Sequence, residues 1–245
     1  MFQFVGPPVE IPKLEQVNND GPRYYSYNGR RYPSVTSVTG SLSREGIRKW
    51  RKRVGNEEAN RVTKQSSSRG TRMHDIAERF LLGEDHTITK RGKRVAPDSL
   101  EMFNVIKKQL VDNVGDIYCL EERLFSDHLG LAGTVDCVGQ WMGVNSVIDF
   151  KTSRKPKKRE WIDNYFLQTC AYSIMWEELT GMPINRLVVL ISVEPLPGDI
   201  PVRWTPNQKD VKVQVFGDNR DAWSEKLVNL IENYNNVSAN GSHEN

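Results

Sequence analysis

Apolar residues in the first half of the chain recur at helical spacing. The clearest case is the segment 71–82, whose apolar side chains fall three or four positions apart: Met73, Ile76, Ala77, Phe80 and Leu81. We expect Gly83 to end this helix. A further helix is predicted over 44–65, with a bend near Gly55, and another from Pro97 to about residue 114.

The second half of the chain carries shorter and denser apolar runs, which are typical of buried strands. We predict strands over five of them: 117–125, 132–141, 146–152, 186–193 and, at a sheet edge, 211–216. Helices are predicted over 161–179 and after Asp218 or Asn219, one of which would cap the last helix. A helical front followed by the order βββαβ predicts an α/β protein with a mixed central sheet flanked by helices.

The two ends of the chain carry a weaker core pattern. Residues 1–22 are rich in Pro, Asn and Gly, and alternating tyrosines flank Asn28-Gly29, a dipeptide favoured in two-residue hairpin turns. The C-terminal residues are small and polar. We therefore predict three segments and a core: an N-terminal arm and hairpin at 1–31, a single domain at 32–236, a core within it at about 66–193, and a disordered tail at 237–245.

Charged residues interrupt two of the predicted strands. Asp136 lies in one of them and Asp149 and Lys151 lie in the next, where alternation places Asp149 and Lys151 on one face. A turn at 142–145 would fold the two strands into a hairpin and bring Asp136 beside Asp149. Two adjacent carboxylates are costly unless a cation holds them, and oxygen ligands suit Mg²⁺ or Mn²⁺. The pattern therefore predicts a divalent metal site.

Basic residues gather around these acidic positions, although the net charge is only +3. Residues 44–94 contain 15 Lys or Arg against 7 Asp or Glu, and residues 151–160 contain 6 against 1. Such runs are commonly solvated protein surface. Their position beside the acidic pair also fits a groove that binds the phosphates of a nucleic acid.

The apolar runs, the N-terminal residues and the cysteines together predict the cellular compartment of the protein. No apolar run approaches the roughly 20 residues that a membrane helix needs, and we expect no secretory or Arg-rich targeting segment at the N-terminus. Cys119, Cys137 and Cys170 stand singly in apolar segments, which predicts buried free thiols in a reducing compartment. The cytoplasm is the expected location, and the mitochondrial matrix is the alternative. Without a CxxC pair, structural zinc is not expected.

Other polar residues have two interpretations on local grounds. A lone helical histidine such as His74 is more often a boundary residue than a ligand. Glu121 and Glu122 fall on opposite faces of the first predicted strand, and the pattern does not decide which of them approaches the acidic pair. Gln168 and Tyr172 share one face of a helix, which is ordinarily solvated surface.

Four motifs occur in a fixed order along the chain: Gly70-x-x-x-His74, Leu-Ala-Gly-Thr-Val-Asp136, Val-Ile-Asp149-Phe150-Lys151-Thr and Gln168-x-x-x-Tyr172. Their order and spacing resemble the RecB-like branch of the PD-(D/E)xK nuclease superfamily, which includes phage exonucleases and mitochondrial genome maintenance exonucleases. The resemblance extends over residues 32–193 and implies a restriction-endonuclease-like core.

The resemblance implies roles for the residues of the metal site. His74, Asp136 and Asp149 would bind Mg²⁺, for which Mn²⁺ would substitute, and the Phe150 carbonyl would be a further ligand. Lys151 would position or activate the attacking water.

The resemblance also implies residues around that site. Glu121 would be the upstream acidic catalytic residue, because Glu121-Glu-Arg-Leu-Phe-Ser matches a family pattern. The residues that would contact DNA are Gln168, Tyr172, Arg69, Arg72, Arg154 and Lys155.

The implied activity is a metal-dependent DNA exonuclease that hydrolyses phosphodiester bonds of single-stranded or free-ended DNA in replication, repair or recombination. The alternatives are a structure-specific endonuclease of the same superfamily and a non-catalytic nucleic-acid-binding module. Some relatives hold an iron–sulfur cluster through four cysteines. This chain has 3 cysteines, so no cluster is expected. The motifs leave the polarity of digestion and the oligomeric state open.

Overall fold

The computed structural model describes residues 2–17, 23–193 and 212–241, with side chains up to residue 237. The strands, in chain order, are β1 (Gln3–Phe4), β2 (Glu15–Val17), β3 (Tyr24–Tyr27), β4 (Arg30–Pro33), β5 (Val114–Ser126), β6 (Leu131–Trp141), β7 (Val144–Ser153), β8 (Arg186–Val193) and β9 (Val213–Asn219). The helices are α1 (Val35–Gly40), α2 (Arg44–Val54), α3 (Asn56–Leu81), α4 (Pro97–Asn113), α5 (Asp163–Thr180) and α6 (Asp221–Gly241). Short 3-10 turns cover Ser41–Ser43 and Arg159–Trp161.

The predicted mixed sheet is confirmed. Its six strands lie in the order β1-β5-β6-β7-β8-β9, and β2, β3 and β4 form a separate three-stranded antiparallel sheet. In the large sheet, β1 is parallel to β5 and β7 is parallel to β8, while the other pairs are antiparallel. Helix α5 makes the crossover from β7 to β8. Strand β9 is an edge strand, as predicted, but it runs from Val213 to Asn219, three residues past the predicted end at 216; Val211 lies outside the described residues.

The large sheet separates two apolar cores. On one face, α5 and α6 pack against the strands through residues such as Phe166, Met175 and Trp223. On the other face, α3 and α4 do so through residues such as Met73 and Phe103. The central strands β5, β6, β7 and β8 therefore supply side chains to both cores, which explains the dense apolar runs of the second half of the sequence.

Helix α3 is longer than the sequence pattern predicts. A break occurs at Gly55, where φ is +85°, but the chain is then helical without interruption from Asn56 to Leu81. The prediction of separate segments over 44–65 and 71–82 is wrong in this respect. None of residues 66–70 is fully buried, so this polar stretch lacks an apolar stripe, which a helix needs only where it packs against a core. Gly83, with φ of +74°, follows the helix end as expected.

Two-residue turns join the hairpins. Asn28 and Gly29 connect β3 to β4 with φ of +47° and +75°, which confirms the predicted turn. Met142 and Gly143 connect β6 to β7 with φ of +52° and +76°. This turn is shorter than the predicted 142–145 segment, because Val144 already pairs with Trp141.

Both ends of the described chain join the main domain. Strand β1 pairs with β5, and Tyr25 and Tyr32 of the N-terminal hairpin are buried against Phe125 and Ala132. These two tyrosines therefore pack in a small core of their own between the hairpin and the large sheet.

At the other end, α6 continues to Gly241, past residue 237 where the predicted tail begins, and residues 242–245 lie outside the described part. The Asn219 side chain accepts a hydrogen bond from the Asp221 amide at 2.9 Å, at the start of α6. No helix within the described ranges is both long and apolar enough to span a membrane.

Candidate active site

Three acidic residues lie in one row across neighbouring strands. The register of β5 and β6 pairs Leu120 with Cys137 and Glu122 with Val135, so Glu121 lies opposite Asp136. The pairing of β6 with β7 reaches only Cys137 and Ile148, one position before Asp136 and Asp149. Beyond that point, Asp136 Oδ2 accepts a hydrogen bond from the Phe150 amide at 2.7 Å. The Asp136 side chain thus replaces a backbone partner where the two strands separate.

Glu121 lies where the strand alternation changes phase. Leu120 packs towards the α3–α4 core, while Leu124, four residues later, packs towards the α5–α6 core. A regular strand would place both on one face. Glu121 between them has φ of +47°, a left-handed conformation that is uncommon outside glycine. The opposing strand changes phase as well, because Val135 and Cys137 contribute to opposite cores.

This backbone geometry resolves the choice between Glu121 and Glu122. The Glu121 carboxylate reaches the helix α3 side, where Oε1 lies 3.1 Å from His74 Nδ1. The Glu122 carboxylate instead accepts a hydrogen bond from the Arg123 amide at 3.0 Å. Glu121 therefore joins the row, in agreement with the family pattern.

His74 joins α3 to this acidic row. Its Nδ1 lies 3.1 Å from Glu121 Oε1 and 3.5 Å from Asp136 Oδ1. Its Nε2 lies 2.8 Å from the Phe150 carbonyl oxygen, which fixes the ring. One ligand atom from each of His74, Glu121 and Asp136 can be chosen so that all three lie within 4.8 Å of one another. One imidazole nitrogen and two carboxylates form a donor set that suits a divalent cation.

The charge balance of this cluster favours a cation. Burial lowers the pKa of His74, but the carboxylates of Asp136 and Glu121 outweigh it and raise this pKa to about 9. At neutral pH the imidazole is therefore protonated, and its positive charge lies between the two carboxylates. A divalent cation would satisfy the same carboxylates and would leave Nε2 bonded to Phe150.

Asp149 and Lys151 form a separate, buried pair beside the cluster. Lys151 Nζ lies 2.5 Å from Asp149 Oδ1 and donates a hydrogen bond to it. Oδ2 is also 2.5 Å from Nζ, but it has no hydrogen bond of acceptable geometry within the described part of the chain. Burial raises the pKa of Asp149. The charge of Lys151 opposes this rise, and the nearby carboxylate of Asp136 adds to it. An under-satisfied carboxylate oxygen at 1% exposure leaves a position at which a cation would be stabilising.

Helix α5 contacts the Asp149–Lys151 pair from the face of the sheet on which α5 and α6 pack. Gln168 Nε2 donates a hydrogen bond to Asp149 Oδ1 at 3.0 Å. Tyr172 is 1% exposed and its ring packs closely over Gly133 of β6. The expectation that Tyr172 contacts DNA is therefore not met in this conformation, because its ring is inside the core. Gln168 and Tyr172 are both buried, so the local pattern, which is typical of a solvated helix surface, was wrong for both of them.

The four predicted basic residues lie along one groove between the middle of α3 and the end of β7. Arg69 Nε donates to Thr152 Oγ1 at 3.2 Å, which joins the two elements. Arg69 and Arg154 line both of two adjoining cavities; Arg72 lines one of them and Lys155 the other. Basic side chains thus line cavities beside the end of β7, the strand that carries Asp149 and Lys151.

The sequence analysis did not single out Tyr165. Its ring centroid lies 5.2 Å from Lys151 Nζ, and it lines one of the basic cavities. Tyr165 precedes Gln168 by three positions and Tyr172 by seven, so all three share one face of α5. That spacing is the signal by which it could have been found.

The family model of the PD-(D/E)XK nuclease superfamily matches residues 44–244 of this chain. The chain belongs to the PD-(D/E)XK nuclease superfamily. Its six-stranded mixed sheet with flanking helices is the PD-(D/E)XK fold, as predicted. The segment Asp149-Phe150-Lys151 has the (D/E)XK pattern that appears in the superfamily's name. PD-(D/E)XK nucleases use divalent metals, in agreement with the His74, Glu121 and Asp136 cluster.

Individual relatives carry the name exonuclease. The chain is 31% identical to mitochondrial genome maintenance exonuclease 1 of Xenopus tropicalis over 181 residues, which are 67% of this chain and 50% of that protein. It is 27% identical to the Homo sapiens protein of the same name over 133 residues, which are 51% of this chain and 38% of that protein. The chain thus spans half or less of the length of these relatives. A crystal structure of a phage-related exonuclease from Haemophilus somnus 129PT matches with 14% identity and a TM-score of 0.33, covering 66% of this chain and 75% of the other.

Proposed function

We propose that this protein is a divalent-metal-dependent DNA exonuclease that hydrolyses phosphodiester bonds in single-stranded or free-ended DNA. The observation that carries the proposal is the arrangement of a His74–Glu121–Asp136 cluster beside the Lys151–Asp149 pair in a PD-(D/E)XK chain. The names of the curated relatives support the choice of exonuclease. Replication, repair or recombination would be the setting, in the cytoplasm or the mitochondrial matrix.

The metal would be held by His74 Nδ1 and by carboxylate oxygens of Glu121 and Asp136. Asp149 Oδ2, which lacks a hydrogen-bond partner among the described residues, is the proposed further ligand. The Phe150 carbonyl, which the resemblance implied as a ligand, instead lies 2.8 Å from His74 Nε2, on the side of the ring away from Nδ1, so its proposed part is to hold the imidazole. Mg²⁺ fits the carboxylates best, and Mn²⁺ accepts the same donors. When bound, the ion would supply Lewis-acid stabilisation of the charge that develops on the phosphate.

The protein side chains would position the reacting groups. Burial lowers the pKa of Lys151, but the carboxylates of Asp149 and Asp136 outweigh burial and raise this pKa, so Lys151 would orient the attacking water as an ammonium group. Gln168 would fix the Asp149 carboxylate, and the hydrogen bond between His74 and Phe150 would fix the imidazole ring. Each catalytic group thus has a buried partner that limits its motion, as preorganised catalysis requires.

The nuclease proposal is tested by Lys151→Ala, with Lys108→Ala as the matched control because the Lys108 side chain is 80% exposed on α4. We expect Lys151→Ala to lower the cleavage rate of single-stranded DNA in Mg²⁺ by about 10²–10⁴-fold and Lys108→Ala to leave it unchanged. DNA binding should persist in both variants. Equal and negligible cleavage by the unmodified protein and Lys151→Ala would favour the non-catalytic binding module.

The choice of exonuclease over endonuclease is tested on linear and circular single strands of one sequence. An exonuclease needs a free end, so we expect the linear strand to be degraded in Mg²⁺ and the circle to survive. Gel analysis over several turnovers separates the two results. Cutting of the circle at a comparable rate would favour the endonuclease alternative.

A further inference from the structure

Trp161 is an exposed aromatic side chain on a basic loop. Of its surface, 59% is exposed, while Trp141, Trp176 and Trp223 are buried. Trp161 is the last residue of the segment 154–161, which is rich in Arg and Lys and has few acidic residues. The Nζ atom of Lys158 lies 5.2 Å from the centroid of the Trp161 ring. Single exposed apolar residues are common, so exposure alone assigns no role to Trp161.

The loop around Trp161 is held in place. The Lys157 amide donates to Gln214 Oε1 at 2.7 Å, and Gln214 Nε2 donates back to the Lys157 carbonyl at 2.9 Å. This reciprocal pair joins the loop to β9. Arg159 Nη2 lies 2.5 Å from Asp218 Oδ2. The Trp161 ring therefore projects from a preorganised backbone, which lowers the entropy cost of binding a ligand on it.

A basic cavity lies between this loop and the catalytic pair. It is lined in part by Arg154, Lys155, Lys157 and Tyr165, and Tyr165 also lies beside Lys151. Trp161 is four residues from Lys157 and four from Tyr165, and its amide donates to the Lys158 carbonyl at 3.0 Å. Along the chain, the exposed Trp161 is thus flanked by two residues that line the basic cavity, Lys157 and Tyr165, and the Tyr165 ring lies beside Lys151.

We propose that Trp161 stacks on a base of an unpaired DNA strand whose phosphates lie in this basic cavity. The proposal rests on the proposed function and adds that the strand beyond the site is single-stranded. Charge complementarity selects a polyanion, and the flat apolar ring suits a base face that a duplex would cover with the neighbouring pairs. Stacking tolerates any base, so it places no sequence requirement on the substrate.

The test measures binding in a Lys151→Ala background, so that the strand stays intact. Fluorescence anisotropy gives the affinity for labelled oligo-dT and for an abasic strand of equal length and charge. Trp161→Ala should weaken oligo-dT binding about tenfold or more and leave abasic binding nearly unchanged. Trp161→Phe keeps an aromatic face and should retain most of the affinity. Lys157→Ala, which removes a phosphate contact, should weaken both strands alike.

Met142→Ala is the matched control, because Met142 is also an exposed apolar residue. It lies in the β6–β7 turn, and the roughly six strand residues between this turn and Asp149 correspond to about 20 Å. It should bind both strands like its parent. An unchanged affinity of Trp161→Ala for oligo-dT, or an equal loss on the abasic strand, would overturn the stacking role while leaving the nuclease proposal intact. Failure of the Lys151→Ala parent to bind either strand would overturn the proposed function itself.

Discussion

At the scale of single residues, the site depends on unusual surroundings rather than unusual residue types. His74 is a boundary residue by its local pattern, but two carboxylates face it and raise its pKa to about 9. Glu121 reaches it because its backbone adopts φ of +47° within a strand. A left-handed conformation of a non-glycine residue costs free energy, and such residues concentrate at functional sites. The protein thus holds a locally strained carboxylate where the metal would bind.

This strain predicts a stability difference between two variants of Glu121. Glu121→Gly should be more stable than Glu121→Ala by about 1 kcal/mol, since glycine adopts a positive φ without a Cβ clash. Urea unfolding of the metal-free variants measures the difference. Glu122 is the control, because its φ is not positive: there Gly should be the less stable of the two by roughly 0.5–1 kcal/mol. A lower stability for Glu121→Gly than for Glu121→Ala would show that the left-handed backbone is not the source of strain.

At the scale of elements, the site is built where regular pairing stops. Strands β6 and β7 pair up to Cys137 and Ile148, and Asp136 then accepts the Phe150 amide in place of a backbone carbonyl. Helix α5 packs against these strands: Gln168 donates a hydrogen bond to Asp149, and the Tyr172 ring lies against Gly133. Close packing between a glycine of β6 and an aromatic ring of α5 therefore fixes the distance between α5 and the strand that carries Asp136, one of the proposed catalytic residues.

Gly133→Ala tests this packing. A Cβ at Gly133 would lie 2.8 Å from the Tyr172 hydroxyl and 2.9 Å from a ring carbon, and the buried ring has little room to move. We expect a loss of about 1–3 kcal/mol in the free energy of unfolding, together with reduced cleavage, because the displaced ring would shift α5. Gly217→Ala is the control, since the nearest atom to its Cβ would be 3.8 Å away, and it should be neutral or slightly stabilising. Equal stabilities of the two variants would contradict the packing argument.

At the scale of the whole molecule, the acidic cluster is assembled from distant parts of the chain. His74 comes from α3, Glu121 from β5 and Asp136 from β6, so folding must be complete before the cluster exists. The two apolar cores on either side of the sheet provide that framework. A cation that binds the cluster therefore binds the folded state and not the unfolded chain, and its binding free energy adds to stability.

Metal addition should therefore raise the melting temperature. At a Mn²⁺ concentration about 100 times the dissociation constant, we expect about 2.7 kcal/mol of added stability, or roughly 5–10 °C for a chain of this size. Excess chelator should remove this rise and abolish cleavage.

Asp136→Asn should lose most of the metal-dependent rise because it removes a charged ligand from the cluster. Asp112→Asn, which changes an exposed carboxylate on α4, should keep it. Differential scanning calorimetry with and without Mn²⁺ makes the comparison. A Mn²⁺-dependent rise of equal size in both variants would contradict metal binding at the cluster.

The sequence by itself determined the class of fold and the central chemistry. Dense apolar runs indicated the strands, and the charges at Asp136, Asp149 and Lys151 were conspicuous because buried strands rarely carry unpaired charge. The side-by-side position of Asp149 and Lys151 followed from the two-residue period of a strand alone. The position of His74 in the site was inferred only from the resemblance to a family.

Only the tertiary structure decided which side chains meet. Strand alternation could not choose between Glu121 and Glu122, because the choice depends on a left-handed backbone at Glu121 that changes the phase of the strand. The burial of Tyr172 depends on Gly133, which is far from it in sequence. Local patterns report the average environment of a residue, whereas a site depends on contacts between segments that folding alone brings together. For that reason the local pattern indicated the acidic pair Asp136 and Asp149, whereas His74 and Glu121 entered the predicted site only through the family resemblance, and their contacts with Asp136 required the tertiary structure.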